Sequence, residues 1–110
     1  MRWFGRELAK HQREHIIVAF HIPLAADERS KLTLAELARQ KNVVLLLCGH
    51  RHTDDLSPVT LPDGRQIPQL RTAALFKGAS TWRRVRLHPD RLEVSATGEP
   101  ERILQAWPMK

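Results

Sequence analysis

Val43-Val44-Leu45-Leu46-Leu47-Cys48 is the stretch that most limits what this chain can become, because six consecutive apolar residues leave no wet face. A run of this length, β-branched at its start, suits a parallel strand covered on both sides better than a half-exposed one. It stops abruptly at Gly49-His50-Arg51-His52. The glycine is expected to let the backbone leave the sheet sharply. If the following residues stay extended, the two histidines point to one side, their side chains rooted roughly 6–7 Å apart. Imidazoles so placed can hold neighbouring metal ions, although an isolated His-x-His is equally compatible with an ordinary polar loop.

A second run upstream strengthens the metal reading. His15-Ile16-Ile17-Val18-Ala19-Phe20 is again short, apolar and β-branched, and it ends in His21-Ile22-Pro23. Between the runs, Thr33-Leu34-Ala35-Glu36 has capping-box spacing and opens a helix with Leu34, Leu37 and Ala38 on one face. Strand, helix, strand is a crossover unit that sets its two strands parallel. Their carboxyl ends then share one edge of the sheet, where open α/β sheets gather ligands. Topology alone therefore brings His21, His50 and His52 to a common edge, and the expected fold class is α/β.

An apolar strand ending in His-x-Pro, followed by one ending in Gly-His-x-His, resembles the last two motifs of the calcineurin-like metallophosphoesterases. The likeness covers roughly residues 3 to 97. It implies the carboxyl-terminal half of an αββα sandwich, a βαβ unit followed by antiparallel hairpins. Carried over position by position, it implies that His21 and His50 ligate the second metal of a dinuclear site and His52 the first. Ile22 stands where many relatives have another histidine, which touches no expected ligand but weakens any inference about substrate. The family's Asp-x-His, Gly-Asp-x-x-Asp and Gly-Asn-His-Asp/Glu motifs do not occur in these 110 residues. No catalytic residue is assigned. The expectation is a single partial domain over 1–110, inactive alone, with Trp3-Phe4 so soon after Met1 looking like a start within a helix.

Other positions take subsidiary roles. Arg51 lies between the two histidines as a substrate candidate that more naturally faces solvent. Asp54 and Asp55 are candidate acceptors for the second nitrogens of ligating imidazoles. Residues Arg2 to Arg13 have helical character, with Trp3, Phe4, Leu8 and Ala9 as an apolar stripe. Leu24 to Leu32 reads as a loop over the carboxyl edge of the sheet, with Arg29 and Lys31 able to meet a phosphate. Downstream, Leu56 to Leu61 and Gln66 to Leu75 form a hairpin about Pro62-Asp63-Gly64, with Pro58 and Pro68 near an edge or bulge. A second hairpin joins Thr81–Leu87 to Arg91–Ala96 through His88-Pro89-Asp90, making His88 a turn residue and no ligand. Residues 99–110 are expected as a possible tail.

The lone Cys48 precludes a disulfide within the chain and reads as a buried, inert thiol. There is no signal peptide and no apolar run of about 18 residues, so no membrane span is expected, and a cytoplasmic location is. The formal charge of +6 attracts phosphate-bearing partners. Scattered basic residues and low aromatic content leave nucleic-acid binding possible but not indicated.

By resemblance the reaction is phosphate-ester hydrolysis with two divalent ions, and imidazole alone does not choose among manganese, iron, zinc, cobalt and nickel. Two rivals differ in class. One is a non-catalytic basic fragment that binds metal or phosphate and acts with a partner chain. The other is a mononuclear module using His21, His50, His52 and water. Self-association, or a partner supplying the absent half, is expected from the exposed sheet.

Overall fold

The computed structural model describes residues 2–73 and 82–109. The chain forms two compact units, Met1–His50 with Asp55–Arg71, and Arg51–Asp54 with Thr72–Lys110. In the first unit the elements run α1 (Arg2–Lys10), β1 (Ile16–Ala19), α2 (Lys31–Ala38), β2 (Val43–Cys48), β3 (Asp55–Thr60) and β4 (Gln66–Arg71). Their sheet has the order β1-β2-β4-β3. β2 is parallel to both β1 and β4, while β3 closes the sheet antiparallel to β4.

The crossover expected between the two apolar runs is present, and β2 lies inside the sheet. Leu45 and Leu46, adjacent and therefore on opposite faces, are both fully buried, as a strand covered on both sides requires. On one face Leu46 joins Leu8 of α1, Leu34 and Leu37 of α2, and Val59, Leu61 and Ile67 of the hairpin in a single core. From β1, Ile16 and Val18 pack against this core from the rim.

Several local expectations are corrected. Helix α2 begins at Lys31 with Ser30 at its N-cap, so Thr33 is internal and no capping box forms. Asp27 prevents a later start, because its Oδ1 accepts the Ser30 N–H at 2.9 Å, while the Ser30 hydroxyl accepts the Ala25 N–H at 3.0 Å. The charged stretch after Pro23 is thus a tied turn that feeds the helix a turn early. Helix α1 ends at Lys10 rather than Arg13; Leu8 is buried and Phe4 packs on the core, whereas Trp3 and Ala9 are exposed.

The β3–β4 hairpin turns where Asp63-Gly64 predicts, with Gly64 at φ 88°. Pro58 and Pro68 sit directly opposite each other, β3 being the edge strand, so the two missing donors fall at one register position. Arg65 extends from the turn and donates to the carbonyls of Ala38 and Gln40, each at 3.0 Å, closing the carboxyl end of α2.

The second unit contains a three-stranded antiparallel sheet of β5 (Val85–Leu87), β6 (Arg91–Ala96) and β7 (Glu99–Pro108), in that order. Thr81, the expected start of β5, and Leu75, the expected end of β4, lie outside the described residues. Residues 99–108, expected as a tail, are instead strand β7 on β6, with Trp107 opposite Leu92. Gly98 at φ 71° makes the tight turn that returns the chain. His88 is a turn residue, its ring paired with the buried Glu93. Among the described residues no helix is long and apolar enough to cross a membrane.

Candidate metal centre

The parallel pairing of β1 and β2 continues past their last residues. The Phe20 N–H donates to the Leu47 carbonyl at 2.9 Å, and the Gly49 N–H to the His21 carbonyl at 3.0 Å. These bonds fasten the two strand ends side by side and set His21 next to His50. The His50 Nδ1 and His21 Nε2 atoms are 3.1 Å apart, with ring centroids at 4.9 Å and planes at 81°. Both residues are exposed.

The backbone reaches this pair differently from the expected route. Gly49 is outside the left-handed region, and a Cβ added there would meet nothing within 4 Å, so the glycine does not make the sharp exit. His50 makes it, at φ 72°, and His52 follows at φ 57°. Left-handed backbone costs a non-glycine residue of order 1–3 kcal/mol and persists where surrounding structure imposes it. The segment is therefore bent rather than extended, and the i, i+2 spacing does not by itself align the two imidazoles.

A residue missed in the sequence supports His21. Gln69 of β4 is buried, and its side-chain amide grips Leu24 twice: Oε1 accepts the Leu24 N–H at 2.9 Å and Nε2 donates to the Leu24 carbonyl at 3.1 Å. The loop that leaves His21 is fixed to the sheet three residues on. A lone glutamine between two apolar residues, Pro68 and Leu70, is the signal that points to it.

The two expected carboxylate helpers have other partners. In the second unit Asp54 accepts hydrogen bonds from the Ala73 N–H at 2.8 Å and the Thr97 hydroxyl at 2.6 Å, and pairs with the Arg83 guanidinium at 3.6 Å. Burial pushes its carboxyl up, but those hydrogen bonds and the Arg83 charge outweigh burial and hold it below the usual range. Asp55, in the first unit, accepts from the Ser57 hydroxyl at 2.8 Å. None of these partners is an imidazole. Arg51 and His52 are exposed and belong to the second unit.

Whether a divalent ion fits can be judged from the histidine pair. Two imidazole nitrogens on one tetrahedral ion, each at about 2.0–2.1 Å, stand about 3.3 Å apart. The 3.1 Å between His21 and His50 is a hydrogen-bond distance between the two rings, and it is also close to that bite. Two donors make only part of a shell, and among the described residues no group of three or more His, Cys, Asp or Glu side chains converges. The chain thus brings together one histidine pair and, among the described residues, no bridging carboxylate.

Neither a protein-family model nor a curated protein matches the chain in sequence. Among solved structures, it is similar to a dimetal phosphatase from Danio rerio, with a TM-score of 0.69 and 19% identity. The match covers 94% of this chain and 35% of that one, so the chain spans about a third of the phosphatase's length. At that identity the likeness concerns the fold alone: this chain has a mixed parallel and antiparallel α/β fold similar to part of that phosphatase.

Proposed function

We propose that this chain contributes the histidine side of a divalent-metal site serving phosphate-ester hydrolysis, and that it does not hydrolyse such esters alone. The observation that carries the proposal is the His21–His50 pair, held at 3.1 Å by main-chain bonds across two parallel strand ends. Its support from elsewhere is the fold shared with a dimetal phosphatase. His21 and His50 would hold the ion, and His52 is kept as a further ligand on its motif alone. When bound, the metal supplies a Lewis acid that polarises phosphoryl oxygens and lowers the pKa of a coordinated water. The chain's own residues orient that centre: Gln69 fixes the His21 loop, and the left-handed turn at His50 sets the second ring.

The inability to act alone follows from the ligand count. Two dications need a shared anionic ligand between them, and among the described residues no carboxylate stands with the histidine pair. The same observation favours a second reading, a basic module that binds one metal ion or phosphate and acts with a partner chain. Phosphorus NMR separates the possibilities. Beyond the broadening that the same manganese causes without protein, the chain is expected to broaden the resonance of inorganic phosphate further, and a His21→Ala, His50→Ala double variant is not. Equal broadening by both proteins would remove the metal-phosphate assignment. Manganese-dependent turnover of bis(p-nitrophenyl) phosphate by the chain alone, abolished in His52→Ala, would contradict the incomplete site.

A further inference from the structure

We infer that the phosphate ester taken by the proposed metal pair has an apolar alcohol part, an alkyl or aryl group that lies in the groove running from His21 along β1. The inference rests on that metal reading and adds the part of the substrate that the ion does not touch.

The groove has the make-up of a small-molecule site. Its volume is about 990 Å³, at the upper end of the range of ligand clefts, and Phe4, Val18, Phe20 and Leu24 wall it. His21 lines one end. Directly after it in the chain, Ile22 lines the same groove and is 41% exposed, and Trp3, also on the groove, is 67% exposed. Large apolar side chains in water on one concave surface, next to a pair of metal-binding imidazoles, suit a ligand with an apolar body behind an anionic head.

The charged groups are sorted along the groove. The loop that leaves the carboxyl end of β1 carries Arg29 on the groove lining, at the end where His21 stands. The carboxylates belong to the other end. Asn42 Nδ2 donates to the carbonyls of His11 and Glu14 at 2.6 Å each, just before β2 and β1 begin. There Glu14 holds His11 at 2.8 Å, and Glu7 holds Lys10 at 3.0 Å. From His15 to His21 the chain covers roughly 20 Å if it stays near-extended, so the acidic end lies well away from the phosphate position. An anionic head is placed at the histidines and Arg29, and the stretch between the two ends is left for an uncharged chain. Each methylene buried there tightens binding about fourfold.

Amide-shift titrations of the zinc-saturated full chain with methyl phosphate and hexyl phosphate test it. Hexyl phosphate is expected to bind at least tenfold tighter and to shift the amides of Val18 and Phe20 as well as those of His21 and His50, whereas methyl phosphate shifts the histidine amides only. Trp3→Ser and Ile22→Ser, both at exposed side chains, should each lower the hexyl-to-methyl affinity ratio at least threefold. Equal affinity for the two esters, lost in His21→Ala, would overturn the inference and leave the metal reading standing. Hexyl phosphate bound as tightly without zinc would overturn it as well, because the groove would then take apolar chains independently of the ion. No binding of either ester would remove the inference together with the metal reading beneath it.

Discussion

At the scale of single residues, His50 carries a tension between folding and the proposed metal site. Its ring meets His21 only because its backbone accepts φ 72°, a conformation glycine adopts at no steric cost. His50→Gly is therefore expected to raise stability by up to about 1 kcal/mol in urea unfolding while abolishing metal binding; a loss of stability would show that the turn is unstrained. Gln69→Leu should cost about 1–3 kcal/mol, because Leu24 loses both partners on a buried amide, and its metal affinity should fall with the His21 loop released. Retained affinity in a folded Gln69→Leu protein would deny the positioning role. That His21 and His50 would come side by side was legible from the two parallel strand ends. The sequence concealed which residue turns, since glycine is the default for a sharp exit and the left-handed position lies one residue later. Cys48, expected as a buried thiol, is only half-buried at the end of β2; that burial still pushes the thiol up and Asp55 adds to this, against the effect of Arg71. Alkylation by iodoacetamide at neutral pH should be slower than for a free cysteine peptide.

At the scale of elements, the apolar period carried most of the information. Two runs and the helix between them specify a parallel β1–β2 pair, and Leu34 and Leu37 are the helix residues that become buried. Leu37→Ala, at a site with no exposure, should cost about 2–5 kcal/mol in urea unfolding. Boundaries were less legible, because tertiary hydrogen bonds set them. Asp27 and Ser30 start α2 early, and Arg65, 27 residues beyond Ala38, finishes it. The hydrogen bonds and charge of Arg65 hold Asp63 below the usual carboxylate range. A depressed folded pKa contributes stability that is present above the unfolded value near 4 and is lost as pH falls through the folded one. The urea midpoint should thus drop between about pH 5 and 3, and the part due to this pair should vanish in Asp63→Asn. The pair is exposed, so the effect is small. Strand β7 escaped the sequence because Glu-Pro-Glu-Arg reads as polar tail, while only its pairing with β6 makes it a strand.

At the scale of the molecule, two compact units share one chain, and the physical logic of the first is that of a sheet whose carboxyl edge gathers imidazoles. The α/β class was legible because hydrophobic period and crossover handedness leave few alternatives. A complete ligand set was not, since the backbone at His52 is bent rather than extended and Asp54 serves Thr97, Ala73 and Arg83. What remains central is the proposal that His21 and His50 are a metal-binding pair and not two histidines in chance contact. Calorimetric titration of the full chain with zinc at pH 7.5 tests this most directly. Saturable binding is predicted for the wild type and for His88→Ala, with affinity at least tenfold weaker in His21→Ala and in His50→Ala. Equal binding by all four proteins, or none by the wild type, would contradict it.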